Sequence, residues 1–439
     1  MISAILELGR LLRNRYLPPA ELRALQESKL RAIVQHAYEN VPYYRTLFRS
    51  AGLNPEDIRT LEDLKQIPTT TKEDLRAAGV EGTIARGVDL SFCQRSTGSG
   101  TTGKPFHVYH NLQEVRIRRL VGFRALLVAG FGPRDRLCSF YRVPFRPTLL
   151  QHLGFFRTEN ISPMLPVEEQ IRRLRHCQPT ILRAPANQLR AILNQVDNRL
   201  SVIIHPRALI TTGEVFDESL KNRILTDIDL EIFNFYMSSE FSDIASECSA
   251  HEGLHVSVDQ VILEFLRPDG EPVEAGEPGT VVVTSLSAHT MPLLRYRLGD
   301  ICTWAGRQCS CGSSFPLIDA PIGRDEELIR LRSGKVLSVR GVCNPWNPVE
   351  GIDQFRIIQE GLDHLVILLV LWKHPGEEIL SQAKSQVLEY LGEPVRVDIQ
   401  IVDSIQKEPG KFRRFISKLP LSRSRNSGAE IHNMVGATG

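Results

Sequence analysis

The chain has 439 residues, 42% hydrophobic and 24% charged, with 53 Lys and Arg against 51 Asp and Glu. These values suit a globular protein with room for two or three domains, and the balanced charge argues against a general nucleic-acid binder, which carries a basic excess on some segment. Eight cysteines in this length make no disulfide scaffold; in a reducing compartment they stay thiols or metal ligands.

The N-terminus, "MISAILELGRLLRNRY", has no basic residue ahead of its apolar stretch, and Glu7 interrupts that stretch. No signal peptide is expected, and the protein reads as cytoplasmic. Over residues 19–39, Leu22, Leu25, Leu30, Ile33 and Val34 are spaced as one face of a helix. "NVPYYRTLFRSAGL" and "TLEDLKQIPTTTKEDLRAAG" continue as short helices broken by Pro and Gly. Between about 90 and 240 helical and strand-like segments alternate, which predicts an α/β sheet. From about 255 to 305 strands dominate. The segment 322–341 reads as a hairpin opening a new unit, and a β-β-α-β pattern follows. Its longest apolar run, "LVILLVLW" (365–372), is too short to span a bilayer and reads as a buried strand. The polar tail from Pro420 is expected to be disordered.

"STGSGTTGKPF" (96–106) carries the first chemical signal. From Gly98 to Lys104 it reads G-x-x-x-x-G-K, close to a Walker A loop, but Pro105 stands where the metal-binding hydroxyl should be and forbids the following helix. "FHVYH" alternates like a strand instead. Glycines among hydroxyl residues let backbone N–H groups converge on a phosphate, and Lys104 adds a cation. Alone, the stretch could equally be a polar hairpin turn. A second constellation is "ECSAHEGLHV" with "CSCG": Cys248, His251 or His255, Cys309 and Cys311 could hold a four-coordinate structural zinc. The remaining cysteines, Cys93, Cys138, Cys177, Cys302 and Cys343, read as core thiols. There is no G-x-S-x-G elbow, no H-E-x-x-H and no G-x-G-x-x-G after a strand.

The loop is followed in order by "LITTGE", "FNFYMSSEF", "LLRYRLGDI", "IGRDEELI" and "EPGKFRRFISK". This ordered set resembles the adenylate-forming ligases, and within them the phenylacetate–CoA ligase branch with its capsule-biosynthesis-associated relatives. The resemblance runs from about residue 28 to 420. It implies a large N-terminal multi-layer α/β domain (1–322, with a helical segment over 1–80) and a small mobile C-terminal α+β domain (323–420), with 421–439 as a tail.

The resemblance also implies the roles. Ser99, Gly100, Thr101, Thr102, Gly103 and Lys104 would cradle the ATP phosphates. Gly213 and Glu214 would wall the adenine, Tyr236 would stack on it, and Ser239 belongs to the same nucleotide-binding set. Glu240 would ligate Mg²⁺, Asp300 would accept from both ribose hydroxyls, and Arg324 would sit at the hinge, with Asp325 nearest the pivot. Lys411 would bridge the acid and the α-phosphate during adenylation. Met237 and Leu298 depart from the usual Gly and Thr of the family. Because "GLH" supplies the histidine of a similar set in some relatives, His255 is chosen over His251. The implied activity is ATP-dependent ligation of a carboxylic acid, often aromatic, to coenzyme A. Alternatives are transfer of the acyl group to an amine or carrier protein, and a non-catalytic nucleotide-binding partner in polysaccharide synthesis. Oligomeric state, a homodimer included, stays open.

Overall fold

The computed structural model describes residues 2–98, 106–141, 147–213, 216, 218–274, 276–321, 323–324, 328–346, 349, 351–371, 373–405 and 414–419. Of the expected site residues, Ser99, Gly100, Thr101, Thr102, Gly103, Lys104, Glu214, Asp325 and Lys411 therefore lie outside the described residues, as does the tail from Pro420.

Four helices open the chain: α1 (Ile2–Asn14), α2 (Pro19–Asn40), α3 (Pro42–Ser50) and α4 (Lys72–Thr83). Proline starts both α2 and α3, where its missing N–H has no intrahelical partner to lose. Thr71 starts α4 through a reciprocal cap: its hydroxyl accepts from Asp74 N at 3.1 Å, and the Asp74 carboxylate accepts from Thr71 N at 2.8 Å. The predicted face of α2 buries Leu22, Leu30, Ile33 and Val34, with Leu25 half-buried.

A hairpin of β1 (Gln94–Gly98) and β2 (Phe106–His110) follows. Gly98 pairs with Phe106, so the glycine-rich stretch joins two antiparallel strands. Next come α5 (Leu112–Val128), β3 (Arg136–Phe140), α6 (Leu149–His152), β4 (Arg157–Ile161), α7 (Val167–Cys177), β5 (Ile181–Ala184), α8 (Ala186–Gln195), β6 (Ala208–Thr212), α9 (Glu218–Leu225), β7 (Glu231–Ser238), β8 (Ser242–Glu247) and β9 (Leu254–Val256). With β13 (Leu317–Ile318) they give an eight-stranded sheet in the order β13-β9-β8-β7-β6-β5-β3-β4, parallel from β4 to β7 and antiparallel beyond.

Both faces of the parallel part are covered, as its continuous apolar strands require. Leu174, Leu189, Ile192 and Ile224 of α7, α8 and α9 pack on one face, and Ala125 and Leu126 of α5 on the other. Gly122 lets α5 approach β8, since a Cβ there would lie 2.8 Å from Asp243 Oδ2.

A second, antiparallel sheet has the order β10 (Val261–Leu266), β11 (Gly279–Ser285), β12 (Tyr296–Cys302) and β14 (Gly323–Arg324). The ladder thus carries Gly323 and Arg324 alongside β12. After it come the hairpin β15 (Leu328–Arg330) and β16 (Val336–Ser338), then α10 (Val339–Cys343). The last unit is β17 (Ile352–Gly361), β18 (His364–Leu371), α11 (Glu377–Leu391), β19 (Arg396–Ile401) and β20 (Phe415–Ser417), in the sheet order β19-β18-β17-β20. Its own core joins Ile357, Leu365, Ile367 and Leu369 to Val387 and Leu391 of α11. The mixed α/β architecture and the β-β-α-β pattern agree with the sequence.

One expectation needs correction. Cys138, Cys302 and Cys343 are buried and Cys177, at the end of α7, is partly buried against the core, but Cys93 is only partly buried at the end of a surface turn and belongs to no core cluster among the described residues. Among the described residues no helix is long and apolar enough to cross a membrane.

Candidate functional site

Where the two large sheets meet, β7 and β12 bring together residues 64 positions apart. Tyr236 Oη donates to Asp300 Oδ2 at 2.7 Å. Arg324, the register partner of Asp300 on β14, holds Nε 3.4 Å from Asp300 Oδ1. Burial, and then the charge of Asp300, push the Tyr236 phenol well above its ordinary range, so it is a fixed donor.

Backbone irregularities place these side chains. The β7–β8 ladder shifts register between Tyr236 and Met237, a bulge that re-aims its neighbours. Tyr236 joins the core beneath β10–β12, while Met237 packs on the α5 side of the large sheet. On β12, Gly299 has φ +85°, a left-handed conformation that glycine adopts without strain, directly before Asp300.

The turn after β7 carries Ser239 and Glu240. Glu240 is only 7% exposed, and Tyr296 Oη donates to its Oε1 at 3.4 Å. Arg118 of α5 clamps the turn from behind, donating to Glu240 O at 2.8 Å and Ser239 O at 3.0 Å. Ser239 Oγ donates to Thr97 O at 3.2 Å, which ties this turn to the start of the glycine-rich stretch. At the other end of that stretch Phe106 stacks on Tyr296 with centroids 6.2 Å apart. Lys72 Nζ sits 5.9 Å from the Phe106 centroid; burial lowers its pKa, and the charge of Glu240 opposes that shift. Gly213 follows β6 with φ +70°, a strand-ending turn.

A small cleft lies beside this turn, with His110, Arg118, Phe241 and Asp243 in its wall. His110 is 1% exposed, and among the described residues neither ring nitrogen has a hydrogen-bond partner. Burial and the Arg118 charge push it down to about 3, so the ring is neutral.

On the far side of the large sheet, Cys248, His255, Cys309 and Cys311 converge, with ligand atoms all within 4.8 Å of one another. Cys248 Sγ and Cys309 Sγ are 3.6 Å apart, and Cys311 Sγ is 3.3 Å from His255 Nε2. His255 Nδ1 lies 3.0 Å from Phe315 O, a contact that fixes the ring with Nε2 towards the thiols. His251 is elsewhere, with Nδ1 3.5 Å from Glu247 and its ring against Phe233.

The CapK C-terminal domain matches residues 328–418. Phenylacetate-coenzyme A ligase of Thermus thermophilus is 30% identical over 388 residues, 83% of this chain and 86% of the relative. The Escherichia coli K12 protein of the same name is 30% identical over 292 residues, 64% of this chain and 67% of the relative. The chain belongs to the phenylacetate–CoA ligase family of adenylate-forming enzymes. The solved 2-hydroxyisobutyryl-CoA ligase in its postadenylation state, bound to 2-HIB-AMP, shares the fold at TM-score 0.75 and 20% identity, covering 92% of this chain and 91% of that one.

For a phenylacetate–CoA ligase family chain, Tyr236, Ser239, Glu240, Asp300 and Arg324 are brought into one region, and Gly213 ends a strand of the same sheet. Sequence reasoning missed Arg118, Tyr296 and Lys72, which reach the region by tertiary packing. Lys72 had a local signal, as the first residue of a helix capped by Thr71, and Tyr296 stands inside the motif "LLRYRLGDI".

Proposed function

We propose that the chain is an ATP-dependent carboxylate–CoA ligase working in two half-reactions. A carboxylate oxygen of the acid attacks the α-phosphorus of ATP, the bond to pyrophosphate breaks, and an acyl-adenylate forms. The thiol of coenzyme A then gives up its proton and attacks the acyl carbon, and AMP leaves. The observation that carries this reading is Asp300 held between Tyr236 Oη and Arg324. A carboxylate offers about four acceptor sites, so the brace and two ribose hydroxyls can share it.

Around that anchor we assign roles to the chain's own groups. Glu240, buried and steadied by Tyr296, has the hard oxygen donor that a phosphate-bound Mg²⁺ prefers; bound there, the ion neutralises triphosphate charge. Ser99, Gly100, Thr101, Thr102, Gly103 and Lys104 would receive the phosphates, with half-buried Lys72 as a further cation at the foot of that loop. Gly213 and Glu214 would border the adenine beside Tyr236. Lys411 would arrive with the small domain, which we take to begin after Arg324, with Asp325 near its pivot.

Electrostatic complementarity to charge developing at the α-phosphate is the main catalytic contribution expected of such groups. An aromatic acid is favoured by the phenylacetate named for the relatives. Cys248, His255, Cys309 and Cys311 fit a structural zinc: three thiols and one oriented imidazole would supply the four donors that such a site uses. Such thiols must stay reduced to bind metal, which favours a reducing compartment such as the cytoplasm.

The deciding experiment is pyrophosphate release from ATP across a panel of aliphatic and aromatic acids, with and without coenzyme A. Acid-dependent pyrophosphate, and AMP turnover that needs coenzyme A, are expected. Pyrophosphate without any response to coenzyme A would move the acceptor to an amine or carrier protein. Silence with every acid would leave a nucleotide-binding partner protein.

A further inference from the structure

A metal held by three thiolates and a neutral imidazole carries a net charge of −1, because each thiol must lose its proton to bind a divalent ion. Burying an uncompensated charge is costly, so a cation is needed close by. Three arginines lie around the cluster. Arg124 is paired with Asp259 at 2.8 Å, and Arg307 with Asp319 at 3.0 Å. Arg15 is different. It is 7% exposed, yet among the described residues no carboxylate pairs with it. Its guanidinium has a 3.5 Å contact to Tyr16 Oη and lies 5.3 Å from the centroid of that ring.

Arg15 and His255 share the wall of a small pocket with Arg124, Ser257 and Phe315. The Arg15 carbonyl also accepts from Ser314 N at 2.6 Å and Ser313 Oγ at 3.2 Å, on the loop that carries Cys309 and Cys311.

We propose that Arg15 is the counter-charge of the Cys248–His255–Cys309–Cys311 metal centre, and that through it the metal locks the α1–α2 junction onto the large domain. This rests on the zinc assignment above. It gives the centre a task beyond holding its own loop. The helix α1 packs along α5, where Arg116 donates to Ser3 Oγ at 2.8 Å, and its C-terminal end is held where Asn14 Nδ2 donates to Asp259 at 2.9 Å and Leu11 O accepts from Arg124 at 3.1 Å. A counter-charge from the adjoining Arg15 makes that end sensitive to metal.

The test compares wild type, Arg15→Gln and Arg15→Lys by zinc content, zinc competition with a chromophoric chelator, the visible spectrum after cobalt substitution, and hydrogen exchange over residues 2–17. Arg15→Gln should bind zinc at least ~10-fold more weakly, the scale of losing an outer-shell partner. It should keep the cobalt–thiolate spectrum, since the four ligands are unchanged. Arg15→Lys should recover most of the affinity, which a purely packing role would not give. Exchange in 2–17 should quicken in Arg15→Gln and in zinc-stripped wild type, while β17–β19 stay protected. Wild-type affinity and wild-type exchange in Arg15→Gln would overturn the proposal with the zinc assignment intact. Absence of zinc from wild type prepared without chelator would remove both, and metal analysis alone distinguishes that case.

Discussion

The proposed metal cluster and the proposed nucleotide region solve the problem of a buried polar site in opposite ways. In the cluster, four donors from β9, the residue after β8 and the Cys309–Cys311 loop face one point and largely one another, within 4.8 Å. Thiols that close gain little from each other, so their arrangement makes physical sense around an ion. In the nucleotide region the polar groups already bond in pairs: Tyr236 to Asp300, Tyr296 to Glu240, Ser239 to Thr97. Those pairs set directions before any ligand arrives, which is how a site avoids reorganisation during reaction. A metal centre so built should be mainly structural and intolerant of ligand loss. A pre-braced site should tolerate loss of a brace and fail on loss of the group that is braced.

Asp300→Ala tests that contrast most severely. The variant should fold, by circular dichroism and thermal melting, yet lose ATP affinity and pyrophosphate release by about 10²–10⁴-fold, because two hydrogen bonds to a charged group are worth roughly 1.5–3 kcal/mol each. Normal nucleotide affinity would detach Asp300 from the ribose and with it the comparison.

Lys411→Ala comes next and asks whether the nucleotide site is finished by the small domain. Acid-dependent pyrophosphate exchange should fall about 100-fold, on a scale of ~3 kcal/mol for one transition-state contact. Supplied with preformed acyl-adenylate, the variant should still make thioester near the normal rate. Equal losses in both half-reactions would give Lys411 a general binding or stability role.

On the metal side, wild type is expected to carry one zinc per chain, and the paired change Cys309→Ser with Cys311→Ser should lose it and lower the melting temperature by several degrees, since structural zinc contributes folding free energy. ATP affinity at a temperature where the variant is folded should move little. Loss of ATP binding in step with zinc would merge the two sites into one cooperative unit.

Much of this was legible in the residues, and unevenly so. Period-2 and period-3.6 patterns gave α2, β2, β18 and α11, because each buries one face or one continuous apolar run. Asp300 and Glu240 were found through ordered motifs, whose short spacing survives in the sequence. The geometry around them was not legible. Arg118 reaches Glu240 O across 122 positions, and Arg15 meets Ser314 almost 300 residues away; neither contact leaves a periodic or local trace. The choice between His251 and His255 was likewise invisible to spacing. Strand β9 decides it, pairing with β13 so that His255 faces the Cys309–Cys311 loop.

The smallest expected effect belongs to Tyr236→Phe, which removes a brace and leaves the braced group in place. Its hydroxyl makes one 2.7 Å bond to Asp300, so ATP affinity should fall by about fivefold, corresponding to ~1 kcal/mol for one such bond. Arg324 still holds the carboxylate from the other side, which is why the loss stays far below that of Asp300→Ala. The pH dependence has a definite sign. The phenol in the fold is raised well above its ordinary value of 10.0, so it is protonated and donating at every pH below that, in folded and unfolded chains alike. The difference between wild type and Tyr236→Phe should therefore be flat from pH 6 to 9. Above pH 10 the unfolded chain loses the proton while the fold retains it, so wild type alone should lose stability through this group. Titrating ATP into both proteins at pH 6, 7.5 and 9, and melting them at pH 10 and above, checks each part. A Tyr236→Phe defect as large as that of Asp300→Ala would mean the brace is itself the binding group, and that the nucleotide region is no more forgiving than the metal cluster.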